Sequence, residues 1–259
     1  LPLAVEKAKA GFTVIGVELN PERRNQVNRG ESYIPDVFEG SLKELVKQGK
    51  LRATSDWSVL KSVDAVCICV PTPLNENKDP DISYIVSVSN EIAKYMHRGM
   101  LIVLESTTYP GTTEEIILPL LEKSGLKIGK DFFLAFSPER VDPGNKKYHT
   151  KNTPKVVGGV TKACTEVART MYGQVMDEMM TVSSPKIAEM EKLLENIFRS
   201  VNIALVNEMA MLCHRMKINI WEVIEAAKTK PYGYMAFYPG PGIGGHCIPL
   251  DPIYLSWKA

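Results

Sequence analysis

The chain has 259 residues, 44% of them hydrophobic and 24% charged, which is the balance of a globular protein and excludes disordered and fibrous classes. Its formal net charge of +1 gives no global pull toward nucleic acid or a membrane surface. The five cysteines include no Cys-x-x-Cys pair, and no signal peptide or bilayer-length apolar run is visible, so a reducing cytoplasm is the expected setting.

The first elements alternate. Leu3–Ala10 reads as a short helix ended by Gly11, and Phe12–Val17 as a buried strand closed by Glu18. Asn20 and Pro21 then suit the N-cap and first position of a helix. Strand, acid, helix is the second βα unit of a nucleotide-binding sheet, where the acid bonds the adenosine ribose diol. Glu18 is also readable as an ordinary strand-end carboxylate. The Gly-x-Gly-x-x-Gly turn that precedes such a unit is expected directly before Leu1.

Leu42–Gln48 is a predicted helix ending at Gly49, followed by a short strand at Leu51–Thr54. Val63–Val70 is nearly continuous in apolar residues, as in a parallel strand covered on both faces. Cys67 and Cys69 within it read as buried strand residues rather than a metal site. The strand ends in the rigid loop Pro71-Thr72-Pro73. A helix over Asp81–His97 and a strand over Met100–Leu104 lead to the hydroxyl-rich loop Glu105–Thr113, and then to a helix over Glu114–Lys123. Phe132–Phe136 is another strand, closed by Ser137-Pro138-Glu139-Arg140. This alternation implies an α/β fold with a parallel, doubly wound, Rossmann-like sheet. Every strand's carboxyl end would then share one edge, where ligands bind, and the three polar loops would converge there.

Lys155–Gly158 and Val175–Val182 read as two further strands around a helix at Ala163–Tyr172. From Pro185 to about Met216 there is no Gly or Pro, and apolar residues recur at spacings of three and four. The predicted helix is about 48 Å long at 1.5 Å per residue, long enough to connect domains or build a dimer interface. On it Lys192 and Asn196 share a face, as a site pair or simply as a solvated lysine and a polar neighbour. A second helix at Ile220–Thr229 follows. The expected division is a dinucleotide-binding domain over 1–182 and a helical central domain over 183–259.

The stretch Tyr238–Pro252 carries Gly240, Gly242, Gly244 and Gly245 with Pro239, Pro241 and Pro249. It cannot be a helix or central strand, so it is a loop that brings backbone close to something. Cys247 lies within it, next to His246 and four residues before Asp251. The loop is either a nucleophile site or a tight turn with an inert thiol. His97, His149 and His214 have no metal-ligand spacing, and no metal is expected.

Seven segments in order, across the whole chain, resemble the UDP-glucose dehydrogenase superfamily. They are Leu1-Pro2, Val17-Glu18, Val70–Pro73, Glu105–Thr107, Ser137–Arg140, Glu191–Asn196 and Gly244–Asp251. Gly-Gly-His-Cys followed by Ile-Pro-Leu-Asp-Pro is most similar to the UDP-N-acetylhexosamine 6-dehydrogenase branch, closest to UDP-N-acetylglucosamine dehydrogenases.

The resemblance implies NAD as cofactor, a UDP-sugar substrate, and two oxidations of sugar C6 to a uronic acid through a Cys247 thiohemiacetal and thioester. It implies that Lys192 stabilises the developing oxyanion, with Asn196 beside it. Glu139 would be acid/base for hydrolysis, and Asp251 and Thr107 would position or activate water. Glu18 and Arg23 would hold the adenosine end of NAD; Pro71, Thr72, Pro73, Ser106 and Thr107 would line the nicotinamide side. Glu139, Arg140, Lys192, Asn196, Tyr238, Gly244 and His246 would contact the substrate, His246 as a loop residue rather than a base. A role in cell-envelope polysaccharide synthesis also follows from it, and so does a UDP-binding domain beyond Ala259, outside this chain. A homodimer through the 185–216 helix is expected from that helix's length, and no nucleic acid or membrane partner from the charge balance. The alternatives are UDP-glucose 6-dehydrogenase, a non-catalytic dimeric fragment, and a simpler hydroxyacid-type dehydrogenase, which would need no covalent thiol.

Overall fold

The predicted elements appear in their expected order in the computed structural model, which describes residues 1–142, 144–245 and 248–259. Helix α1 (Pro2–Lys9) leads to β1 (Val14–Val17) and α2 (Pro21–Arg29). Asn20 caps α2, its Oδ1 accepting from the Glu22 and Arg23 N–H groups at 2.9 and 3.1 Å. Gly30, at φ 74°, ends the helix in a left-handed turn that side-chain-bearing residues rarely adopt. Next come α3 (Glu39–Lys47), β2 (Leu51–Thr54), β3 (Ala65–Ile68), α4 (Ser83–Tyr95) and β4 (Leu101–Leu104). The helix expected over Glu114–Lys123 forms in two parts, a π-helical turn at Thr112–Ile117 and then α5 (Leu118–Glu122). Pro119 accounts for the irregularity, since it cannot donate the backbone bond a regular helix needs there. The remaining elements are β5 (Phe133–Phe136), β6 (Lys155–Gly159), α6 (Lys162–Tyr172), β7 (Met179–Val182), α7 (Pro185–Arg215), α8 (Ile220–Lys228) and α9 (Asp251–Lys258).

The chain forms two compact units. The first comprises Leu1–Pro71, Ile82–Ser106 and Pro110–Glu189, and holds every strand among the described residues. The second comprises Thr72–Asp81, Thr107–Tyr109 and Met190–Ala259.

In the first unit β1 pairs with β2 in parallel, and a five-stranded sheet runs in the order β3-β4-β5-β6-β7. Pairing is parallel except between β5 and β6, which are antiparallel. This corrects the expectation of a wholly parallel sheet with all carboxyl ends on one edge. A parallel return needs a crossover, usually helical. The described residues between β5 and β6 contain no helix, so β6 comes back alongside β5.

Residues on β4 and β5 alternate between two cores, as the period of two requires. Ile102, Leu104, Leu134 and Phe136 pack with Ile85, Ile92 and Ile117 on one face. Leu101, Val103 and Ala135 pack with Ala168, Met171 and Tyr172 of α6 on the other. Strand β3 departs from its predicted burial: only Ile68 is fully buried, Cys67 is half-buried and Cys69 is exposed. It pairs with β4 alone among the described strands, so its other edge lacks that cover.

In the second unit α7 matches its predicted extent within one residue, and α8 follows as expected. Helix α9 was not foreseen; the sequence reading treated its first turn as part of the glycine-rich loop. Asp251 and Pro252, in its first turn, suit a helix start.

Candidate active site

In the first unit the candidate cofactor residues sit at strand ends. Glu18 follows β1 half-buried, with its Oε1 accepting from the Asn20 N–H at 2.8 Å. The same asparagine caps α2, so the carboxylate is oriented by the turn that starts the helix. Arg23, in the first turn of α2, stacks its guanidinium over Tyr33 at 5.4 Å. Ser106, after β4, is buried and donates to the Val70 carbonyl at 2.7 Å, tying the β3 and β4 exits together. Its hydroxyl is therefore engaged by the protein itself.

The Ser137–Arg140 turn follows β5. Ser137 is buried and donates to the Val156 carbonyl at 2.6 Å. Glu139 is exposed, and its Oε1 accepts from the Arg140 and Val141 N–H groups at 2.8 and 3.0 Å. Arg140 donates to the Pro154 carbonyl at 2.7 Å.

Behind this turn lies a group the sequence reading passed over. Lys155, the first residue of β6, donates to Glu105 Oε2 and to the Pro138 carbonyl, each at 3.1 Å. Tyr172 of α6 donates to Glu105 Oε1 at 2.5 Å. Burial alone would push the Glu105 carboxyl up, but Lys155 and Lys7 outweigh it and hold the group below its ordinary range. One buried cluster thus fixes the residue before Ser106 and the residue before Glu139. The available signal was a lysine heading an otherwise apolar strand, since lysine is buried only when paired.

Glu189, in the second turn of α7, was also missed. It is fully buried and accepts from the Gly111 N–H at 2.6 Å, the Thr113 N–H at 2.9 Å and the Thr113 hydroxyl at 2.6 Å. Burial raises its carboxyl despite these bonds. It caps the π-helical turn that follows the hydroxyl-rich loop.

In the second unit the residues predicted on α7 and after the glycine-rich loop come together. Asn196 donates to Asp251 Oδ2 at 2.5 Å. Asp251 is almost wholly buried, and burial raises its carboxyl; the Asn196 bond and the nearby Lys192 ammonium oppose that rise. Asn207, on the Lys192–Asn196 face by helical spacing, accepts from the Gly240 N–H at 2.9 Å and donates to the Gly242 carbonyl at 3.4 Å. A polar residue continuing the Lys192–Asn196 stripe was its sequence signal. Tyr238 donates to Glu225 at 2.7 Å and stacks on Trp221 at 6.2 Å, which seats the start of the loop on α8. Gly244 has φ 71°, a conformation suited to glycine. His246 and Cys247 lie outside the described residues.

Thr72, Pro73 and Thr107 belong to this second unit, together with the loop and α9, rather than to the unit that holds the strands they follow. Thr107 is half-buried. Among the described residues no group of acidic, histidine or cysteine side chains is arranged to hold a metal ion, and no helix is long and apolar enough to cross a membrane.

Residues 1–176 match the NAD binding domain of the UDP-glucose/GDP-mannose dehydrogenase family, and residues 186–259 match its central domain. The chain is 40% identical to the UDP-N-acetyl-D-glucosamine 6-dehydrogenase of Pseudomonas aeruginosa, over 100% of this chain and 60% of that protein. Among solved structures, the UDP-D-ManNAc dehydrogenase of Pyrococcus horikoshii superposes with a TM-score of 0.94 at 38% identity, over 100% of this chain and 62% of that one. The UDP-N-acetyl-mannosamine dehydrogenase Cap5O of Staphylococcus aureus gives 0.87 at 35% identity, over 99% of this chain and 62% of that one. The chain therefore spans about three-fifths of the length of these relatives. NAD fits the residues present. The half-exposed Glu18 carboxylate at the end of β1 suits a ribose diol, and its charge would repel the extra phosphate of NADP.

Proposed function

Because the chain belongs to the UDP-glucose/GDP-mannose dehydrogenase family, we propose that it carries out the NAD-dependent four-electron oxidation of C6 of a UDP-N-acetylhexosamine to the uronic acid. The observation that carries this reading is the Asn196–Asp251 pair with Lys192 beside it, in the unit that also contains the Cys247 loop. Such a grouping serves a reaction in which a thiol adds to a carbonyl and water later removes it.

When bound, NAD accepts a hydride from C6 in each of two successive oxidations. The protein's own residues do the rest. The Cys247 thiolate adds to the aldehyde carbon to give a thiohemiacetal, whose oxygen is negative until protonated. Lys192 supplies the cation for that oxygen. Oxidation of the thiohemiacetal leaves a thioester on Cys247. Water attacks it, the C–S bond breaks, and the thiolate is regenerated with release of the carboxylate. Glu139 serves as acid/base in this step, while Asp251 and Thr107 orient water. Glu18 and Arg23 hold the adenosine end of NAD, and Pro71, Thr72, Pro73, Ser106 and Thr107 shape the nicotinamide side. Arg140, Asn196, Tyr238, Gly244 and His246 contact the sugar nucleotide.

The preferred sugar is UDP-N-acetylglucosamine, on the strength of the Pseudomonas relative. UDP-N-acetylmannosamine is the second reading, favoured by the likeness to the Pyrococcus structure. The intact protein, incubated with NAD and each UDP-N-acetylhexosamine or UDP-glucose in turn, tests both. Two NADH per sugar, from one of the acetylated substrates, is the expected result. Full steady-state turnover by Cys247→Ser would overturn the covalent scheme, and preference for UDP-glucose would overturn the substrate class.

A homodimer through α7 is part of the same proposal. Leu194, Phe198, Val201, Leu205 and Leu212 are exposed along this helix at spacings of four, three, four and seven. That is an apolar seam of the kind that packs against a second helix. A cytoplasmic setting, where nucleotide sugars and NAD are available, and supply of uronate to envelope polysaccharide complete the reading.

A further inference from the structure

The excursion Thr72–Asp81 interrupts the chain between β3 and α4, yet belongs to the second unit. It is internally braced. Asn75 exchanges backbone bonds with Asp79 and Lys78, Asp81 N–H donates to the Pro73 carbonyl at 2.9 Å, and Leu74 bridges Pro80. One side chain from far along the chain grips its first residues. Tyr254, on α9, is 1% exposed, and its hydroxyl donates to the Thr72 carbonyl at 2.8 Å and lies 3.3 Å from the Pro73 carbonyl. Its ring meets Tyr109 of the Thr107–Tyr109 segment at 6.5 Å, and Trp257 meets the same tyrosine at 5.0 Å. Burial raises the Tyr254 phenol to about 12, so the hydroxyl stays a donor at any working pH.

We propose that Tyr254 is a positioning residue that fixes the Thr72–Pro73 and Thr107–Tyr109 segments to the helix carrying Asp251, and thereby sets the affinity for NAD. The geometry supports this directly. Asp251 and Tyr254 are one turn apart on α9. The residue that bonds Asn196 and the residue that bonds the Thr72 carbonyl are therefore held on one rigid element. Cofactor-side backbone and substrate-side carboxylate keep a fixed spacing because a single helix holds both. The proposal rests on reading Thr72, Pro73 and Thr107 as cofactor-side residues.

The test is Tyr254→Phe in the intact protein, which keeps the ring and removes only the hydroxyl. Trp257→Phe, which alters the ring contact but leaves the hydroxyl bond, is the companion variant. NAD binding is measured by calorimetry, hydrogen exchange by mass spectrometry, and melting by scanning calorimetry. NAD binding by the unmutated protein comes first; its absence removes the cofactor reading and the proposal built on it. Given that binding, Tyr254→Phe is expected to weaken NAD about fivefold and raise its KM. The KM for the sugar nucleotide should stay within twofold, and amide exchange at residues 74–81 should quicken at least tenfold. Trp257→Phe should change NAD affinity less than twofold. If Tyr254→Phe leaves either NAD affinity or exchange at 74–81 unchanged, Tyr254 is a packing residue only. Equal loss of both substrates, or loss of NAD affinity only in step with a fall in melting temperature shared by Trp257→Phe, also overturns the proposal.

Discussion

Lys155 and Glu105, 50 positions apart in sequence, meet at 3.1 Å with side chains 5% and 3% exposed. The pair joins the start of β6 to the end of β4, and Lys155 extends the link to the Pro138 carbonyl. Removing one member of such a pair strands the other charge. Lys155→Met is therefore expected to cost about 3–5 kcal/mol. Lys155→Met combined with Glu105→Leu should recover at least half of that loss, because both desolvated charges go together. Urea unfolding of the wild type, both single variants and the double variant measures the coupling. Additive losses would mean that the two charges do not interact.

The same carboxylate sets a pH dependence. Its folded-state value is depressed, so its contribution to stability is fully present above the ordinary glutamate value of about 4.3 and is lost as pH falls through the lower folded value. Glu105→Gln should flatten the fall in melting temperature below that pH. An unchanged acid limb in this variant would place the titrating group elsewhere.

Glu189 satisfies three donors at the start of one helix from within another. Glu189→Ala leaves those donors buried without an acceptor and should cost roughly 3 kcal/mol. Glu189→Gln should cost less, since the amide oxygen can still accept both Thr113 bonds and only the Gly111 N–H is left facing the amide nitrogen. Thermal melts separate the two, and equal effects would argue that only side-chain volume matters at this position.

Asn207 holds two backbone groups of the glycine-rich loop. Its replacement by Ala should lower kcat about tenfold, because small displacements of a reacting group are costly. The melting temperature should change little. Faster alkylation of Cys247 by iodoacetamide would accompany this change; a wild-type kcat would show that other contacts fix the loop.

The exposed apolar seam on α7 gives the proposed homodimer a direct test: Leu205→Glu should leave the protein monomeric, since it would place a charge in the centre of a seam that the dimer buries. Sedimentation velocity reads this directly. A wild-type protein that sediments as a monomer across micromolar concentrations would remove α7 as the interface.

Much of the fold was legible because its signals are local. Asn20 and Pro21 specify a helix start whatever surrounds them, and the unbroken run from Pro185 to Arg215 specifies a long helix by spacing alone. The apolar run of β4 gave its burial on both faces. The same argument failed for β3, because burial of a run also depends on which strands pair beside it. The antiparallel return of β6 was hidden for a similar reason: strand direction is set by what the connection can span, and the 137–154 segment has no periodic pattern to reveal it.

The site divides in the same way. Strand-end position singled out Glu18, helical spacing paired Lys192 with Asn196 and the glycine-rich loop drew attention to Asp251, while their roles came from the family resemblance; the structure joins Asn196 to Asp251 across 55 positions. Glu189 and Tyr254 carry no local signature, and a lysine heading the apolar strand β6 signals that Lys155 is paired but not with what. Each acts on backbone groups distant in sequence, and only the folded chain determines which carbonyl or N–H a buried side chain will find. The sequence by itself determined most of the helices and strands and where the candidate residues stand along them, since such signals come from neighbours within a few positions. The tertiary structure alone decided strand direction and the side chains that hold the loops. It also decided that Thr72–Asp81 and Thr107–Tyr109 belong with the unit of α9. These depend on long-range contacts that no local pattern encodes.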